Sequence, residues 1–580
     1  MASVNLQDAP SQTMLHALWA KGWPPGMPTA PQYPLGELPL TRYLRHWANV
    51  QPDHPAVIYY GHVLSFAALD RLSDAMARLL QSMGVGAGDR VAVFLPNCPQ
   101  FHLAFYGILK LGAVHVPVGP MSKSYELLHE LQDSGATLLI TLDAFMPVVR
   151  QVRAQTELRA VLVTSYADVR AEDPVLPLPE AMRASRQHCD DAVELMPALA
   201  QWLHDEPWPA ADSLDALAAL NYTGGTTGLP KGCMHTQRDM LYTAAANCGV
   251  AIHNAPDTVF LSFFLQSWIA GENGGLIFHV FCGKPLVLLS RWDPVAVLQA
   301  VARYRVTSMV MTVDSALELL DHPQFLTHDL RSLRQPRVVS FMKKLSLGDR
   351  VRWRDGQGSN LVESAWGMTE THTSDTFTTG LQHDDFDLKS TPVFIGLPVP
   401  GTEFRVCDFE SRAVLPLGAS GELCIRTPSL FKGYWRQPQA TAAVLSGDWF
   451  HTGDIGMIDA DGFLHYLGRR KEMIKVKGMS VFPMEIEAVL GRHELVLGSG
   501  VVALADERHG EVPVAFVQLR LECALPDVAQ VLRDWCEACM ASYKVPQLRL
   551  VDRLPVTATG KVDKKVLLQW LAAEDSAQPN

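Results

Sequence analysis

Short apolar runs alternate with amphipathic segments through the first two thirds of the chain, the pattern of strands and helices stacked in α/β layers. Residues 90–95 predict a buried strand, Asn97 sits where a helix N-cap belongs, and 99–111 carry helical spacing. A strand at 113–117, a helix at 125–132 and a strand at 136–141 continue the series. Residues 165–215, rich in Ala, Pro and Asp, predict irregular or loosely helical chain. Apolar residues 217–220 form a further strand that runs straight into a glycine-rich loop. Beyond 395 the texture changes to short strands and turns, as at 421–426 and 462–466. A compact unit after Gly468 shows a helix from Pro483, strands at 501–505 and 514–519, a helix at 528–540, and a short polar tail after Leu568.

Composition narrows the class without changing this picture. With 580 residues the chain exceeds one ordinary core, and 48% hydrophobic against 19% charged residues describe a packed globular protein. The net charge of -12 argues against a nucleic-acid partner, which asks for a basic face. No secretory signal opens the sequence and no apolar run reaches the ~18 residues of a membrane span, so a cytoplasmic protein is expected. Ten scattered cysteines fit a reducing compartment. Cys536 and Cys539 have redox-motif spacing but fall on a predicted amphipathic helix, where neighbours on one face are the simpler reading.

The loop at 221–232 reads Asn-Tyr-Thr-Gly-Gly-Thr-Thr-Gly-Leu-Pro-Lys-Gly. Gly224, Gly225 and Gly228 allow backbone N–H groups to approach an anion, the hydroxyls of Thr223, Thr226 and Thr227 add donors, and Lys231 adds charge. It is not a P-loop: Pro230 stands where the glycine before the lysine belongs, and Gly232 where the metal-binding Ser or Thr belongs. Its place after a strand, at a sheet edge, is where α/β proteins bind ligands. Downstream, Trp366 can stack on a base, Thr369 can donate to a phosphate oxygen and Glu370 can hold magnesium. Asp454, beside a glycine turn, can accept from two ribose hydroxyls, and Lys561 falls on a Thr-Gly-Lys loop. Singly, Trp366 also suits a core, Glu370 a solvated turn, Asp454 a helix cap and Lys561 an ordinary surface.

Jointly and in this order, these segments resemble the adenylate-forming enzymes, which include acyl-CoA synthetases, firefly luciferases and adenylation domains of non-ribosomal peptide synthetases. The resemblance covers about residues 40–568. It implies a large amino-terminal α/β domain (1–467) of layered sheets, helices and a small β-barrel-like part, and a smaller mobile α+β carboxyl-terminal domain (468–580) hinged near Lys471. It implies that Thr223–Lys231 wraps the β- and γ-phosphates of ATP, Trp366 stacks on adenine, and Thr369 meets the α-phosphate. Glu370 then holds Mg2+, Asp454 and Arg469 hold the ribose, Lys561 bridges carboxylate and α-phosphate, and the pantetheine arm of coenzyme A passes Gly478.

The implied reaction is ATP-dependent activation of a hydrophobic carboxylic acid followed by transfer to CoA. The alternatives are loading of a separate carrier protein and a non-catalytic nucleotide-binding regulator; a homodimer is compatible with any of them. The acyl pocket is expected around Phe264, Gln266, Trp268, Phe341 and Met342, where the family's usual histidine gate is missing. Where relatives carry Gly-Gly-Ala-Pro-Leu, this chain has Phe341, Met342, Lys343, Lys344 and Leu345. Lys343 or Lys344 then either faces solvent or pairs with a second polar or acidic group on the substrate.

Overall fold

A computed structural model describes residues 9–577 except 224–228, 253, 335, 341–342, 364–365, 373, 391–392, 478, 507, 521–526 and 558–559. Two sheets of the same plan build the amino-terminal part. One runs Val193–Glu194, Ala160–Thr164, Leu138–Leu142, Arg90–Phe94, Val114–Pro117, Leu217–Tyr222, Gly232–Thr236 and is parallel until its last pair. The other runs Val362–Glu363, Arg337–Val339, Ser308–Thr312, Phe260–Ser262, Leu286–Leu288, Pro55–Tyr59, His62–Ser65, again ending in one antiparallel pair.

Helix Pro99–Leu111 explains how the two sheets join. It is apolar on all sides and every residue of it is buried, the signature of a helix with no solvent face. The core around it takes side chains from both sheets. Its one cation, Lys110, is 1% exposed and sits 2.6 Å from Asp70 Oδ1 and 2.6 Å from Asp74 Oδ1 on the neighbouring helix Phe66–Ser82. Arg45 adds a bond of 2.7 Å to Asp74 Oδ1, so each buried charge has a partner.

An antiparallel sheet follows, in the order Thr376–Phe377, Val393–Pro398, Leu464–Arg469, Trp449–Ile458, Gly421–Arg426, Glu403–Cys407, with Leu445–Ser446 beside Trp449–Ile458. The carboxyl-terminal part packs helices Pro483–Gly491 and Val528–Cys539 against strands Ile474–Val476, Gly510–Leu519 and Val496–Asp506. This is the α/β fold with a smaller second part that the motifs imply. Among the described residues no helix is long and apolar enough to cross a membrane.

Several local expectations change. Helix Pro99–Leu111 is capped at Cys98, and Asn97 instead donates to Phe264 O and Leu289 O while accepting from Gln266 N. Loop residues just beyond two distant strands compete for that amide and win over the cap. The polar tail is a helix, Lys564–Ala577, anchored by buried Leu567 and Leu571 one turn apart. Cys536 points into the core and Cys539 is exposed, so the pair does not converge.

Candidate active site

The glycine-rich loop joins two hydrogen-bonded strands. Tyr222 pairs with Gly232, Thr223 N donates to Lys231 O at 3.0 Å, and Lys231 N donates to Thr223 Oγ1 at 3.3 Å. The loop is thereby closed at its base and projects from the carboxyl end of Leu217–Tyr222. Gly224, Gly225, Thr226, Thr227 and Gly228 lie outside the described residues.

Thr369 and Glu370 lie on one 3-10 turn, Thr369–Thr371, whose three carbonyls are all held. His235 Nε2 contacts Thr369 O at 2.8 Å, Phe431 N donates to Glu370 O at 2.9 Å, and Ser429 Oγ donates to Thr371 O at 2.8 Å. These three contacts pin the backbone from which the side chains of Thr369 and Glu370 extend. Tyr434 OH donates to Glu370 Oε1 at 2.8 Å, and Lys231 Nζ lies 4.4 Å from the centre of the same tyrosine ring. One aromatic ring therefore joins the loop lysine to the carboxylate, with a cation over its face.

Asp454 is 1% exposed at the centre of the third group. Trp366 Nε1 donates to its Oδ2 at 2.8 Å, and Arg469 Nε lies 2.7 Å from its Oδ1. Asp454 and Arg469 face each other directly in the strand register, which fixes that ion pair. Burial raises the Asp454 pKa, and Arg469 and Trp366 oppose the shift. The Thr452–Asp454 turn hangs from Glu422, whose Oε1 accepts from Gly453 N at 3.0 Å and whose Oε2 meets His451 Nδ1 at 2.8 Å. Lys561 reaches this group from the carboxyl-terminal part, on a turn closed by Thr557 N donating to Lys561 O at 2.8 Å. It keeps exposed surface, yet burial of its ammonium and the nearby Arg469 lower its pKa while Asp454 pulls the other way. Lys471, just past Arg469, is lowered for the same two reasons.

The loop lysine, a carboxylate, an indole and a buried aspartate thus lie within electrostatic reach of one another, a set of groups that suits a nucleotide. The profile of the AMP-binding enzymes matches residues 44–435, and that of the AMP-binding enzyme C-terminal domain matches residues 485–561. The chain belongs to the AMP-binding enzyme family. Among similar proteins, the long-chain-fatty-acid–CoA ligase of Salmonella typhimurium is 31% identical over 538 residues, covering 91% of this chain and 94% of its own. The anthranilate CoA ligase AuaEII, solved with anthranoyl-AMP, aligns with a TM-score of 0.79 at 25% identity over 92% of this chain and 98% of its own. The amide bond synthetase McbA from Marinactinospora thermotolerans aligns with a TM-score of 0.78 at 25% identity over 92% of this chain and 100% of its own.

In this AMP-binding enzyme a cavity of about 140 Å3 opens along the strands Phe260–Ser262, Ser308–Thr312 and Arg337–Val339. Phe264 and Trp268 line it, together with Phe278, Met309, Phe377 and Arg337. Gln266 is instead buried and donates to Gly275 O at 3.0 Å; Phe341, Met342 and Gly478 lie outside the described residues.

Lys343 corrects both sequence readings. It is 2% exposed and donates to Val496 O at 3.1 Å and Gly491 O at 3.4 Å, both in the carboxyl-terminal part. It therefore faces neither solvent nor substrate but joins the two parts of the molecule, with Asp349 Oδ2 at 4.0 Å. Lys344 lies beside Glu363 and Glu487, whose charges partly offset the lowering of its pKa by burial. Tyr434 and Glu422 carry no motif of their own, and only the folded contacts reveal what they hold.

Proposed function

We propose that the protein is an ATP-dependent acid–CoA ligase that activates a hydrophobic carboxylic acid. A carboxylate oxygen attacks the α-phosphorus, the bond to the bridging oxygen breaks, and pyrophosphate leaves. The thiol sulfur of CoA then attacks the acyl carbon, AMP departs with the bonding pair, and the thiol proton passes to solvent. The observation carrying this reading is the convergence of Trp366, Asp454 and Arg469 with Lys561, a cation delivered from the other part of the chain. The named ligases among the relatives support it.

In this reading Asp454 and Arg469 orient the ribose, and the indole of Trp366 offers its face to adenine while its N–H steadies Asp454. Thr223 to Lys231 hold the pyrophosphate end, so Lys231 clamps the leaving group. Lys561 neutralises the meeting of two anions, the incoming carboxylate and the α-phosphate, as charge builds there. Glu370, oriented by Tyr434, would supply one hard oxygen ligand for magnesium. When bound, that ion offsets phosphate charge. Thr369, on the same pinned turn, donates to the α-phosphate.

The part of the chain beyond Lys471 acts as the mobile domain, turning about that residue after adenylation to withdraw Lys561 and admit the thiol near Gly478. The nine cysteines among the described residues are all free, which supports a reducing, cytoplasmic setting. The test is acid-dependent exchange of labelled pyrophosphate into ATP, followed by CoA-dependent thioester formation. Lys561→Ala should slow the first step by about 100-fold or more and leave thioester formation from supplied acyl-adenylate nearly intact. Equal losses in both steps would overturn the assignment of Lys561.

A further inference from the structure

Three other buried cations of this protein are matched to partners. Lys110 has Asp70 and Asp74, Lys343 has two carbonyls, and Arg350 has Leu361 O, Asp385 and Asp387. Arg337 differs. Its guanidinium makes no hydrogen bond, ion pair or ring contact among the described residues. Five N–H donors and a full charge therefore stand unanswered.

The register shows where that charge faces. Arg337 pairs with Val310 on one side and Val362 on the other, and paired residues of a parallel sheet share a face. Arg337, Val310 and Val339 all line the cavity, as do Leu261, Met309 and Glu363 where it wraps the strand edge, while the intervening Val338 is fully buried in the core. Arg337 is only partly buried by surface area, yet burial alone lowers its pKa, to about 10. The two facts agree if its free surface opens into the cavity rather than to bulk water. It still carries its charge at neutral pH.

Position along the strand gives the direction. The carboxyl end of the sheet leads through Glu363 to Trp366 and the nucleotide crevice. Arg337 starts its strand, about 7 Å of strand rise below Val339, at the remote end of the cavity. Aromatic and aliphatic side chains, Phe264, Phe278 and Met309 among them, line the same cavity. At about 140 Å3 the space matches a cavity that takes one benzene-sized group.

We propose that Arg337 holds a second anionic group on the substrate, so that the preferred acid is a compact one with an apolar body and a second carboxylate at the end remote from the reacting carboxylate. This rests on the acid-activating reading of the same site. It gives the unanswered guanidinium a bidentate partner that enters with the substrate. It also sets selection against neutral acids of the same shape, which leave the guanidinium buried and unpaired.

The experiment uses acids of one ring or short-chain scaffold that differ only in the remote substituent: carboxylate, carboxamide or methyl. Binding is read without ATP by calorimetry and by the shift of the unfolding midpoint, and turnover by CoA-dependent pyrophosphate release. The intact enzyme should favour the diacid over the methyl analogue by at least about 10-fold in both readouts. Arg337→Met should cut kcat/KM on the diacid by about 100-fold and change the methyl analogue by less than about 3-fold. Arg337→Lys, with the unfolding midpoint retained, should recover part of the diacid rate.

Equal treatment of all three acids by the intact enzyme overturns the proposal while pyrophosphate release still upholds the ligase reading. Equal losses by Arg337→Met on diacid and methyl analogue overturn it too. Selective diacid binding without pyrophosphate release from any acid keeps Arg337 as an anion site and removes the ligase reading. Neither binding nor release removes both.

Discussion

Replacing Lys343 by methionine removes an ammonium that ties the two parts of the molecule together and leaves a side chain of similar length. Charge-assisted hydrogen bonds contribute about 1.5–3 kcal/mol each. The contact to Val496 O, at 3.1 Å, counts as a full bond and the one to Gly491 O, at 3.4 Å, as a fraction of one. Burial costs the ammonium part of that gain, as the lowered Lys343 pKa shows. The net is about 2 kcal/mol, or ~30-fold in the equilibrium between domain orientations. Rapid-quench measurement of acyl-adenylate formation should show it slowed by up to about 30-fold, because fewer molecules hold Lys561 at the crevice. Thioester formation from supplied acyl-adenylate should be unchanged or faster. If Lys343→Met keeps its unfolding midpoint and both half-reactions run at the original rate, the joint between domains contributes nothing. A selective rise in KM for the acid would instead return Lys343 to the substrate pocket.

Adenylation should have a narrowed pH window. It requires Asp454 ionised and Lys561 protonated; burial raises the first pKa and lowers the second from its ordinary 10.5. The rate therefore climbs through a pH above the usual carboxylate range and falls again below 10.5, and Lys561→Arg should move the alkaline limb upward in the adenylation profile. An alkaline limb unmoved by that change would assign it elsewhere. Lys110→Met should lower the stability of the amino-terminal part by about 3–5 kcal/mol in denaturant titration, because Asp70 and Asp74 would remain buried with Arg45 alone. A loss below about 1 kcal/mol would show that the cluster relaxes into contact with water.

The sheet-and-helix layers were legible because their periodicity is local: helix Pro99–Leu111 and strand Arg90–Phe94 fall within a residue of their expected ends. Asn97 obeyed no local rule, since its amide partners lie 167 and 192 residues away. Leu567 and Leu571, four apart, were the signal for the terminal helix, diluted by the charged residues around them. Trp366, Glu370, Asp454, Arg469 and Lys561 were readable as an ordered set. Arg337 was not, because its distinction is a missing partner, and sequence does not reveal which side chains go unpaired.

The opposed pair Asp454 and Arg469 has one more consequence. Arg469 ends a strand of the antiparallel sheet, and the first strand of the carboxyl-terminal part begins at Ile474. On the proposed assignment the clamp on the ribose is fastened to the stationary side, and a pivot at Lys471 lies beyond it. A swing of the small domain can exchange the lysine for the thiol while the adenylate stays held, so the activated intermediate is handed from one chemistry to the next without ever being set down.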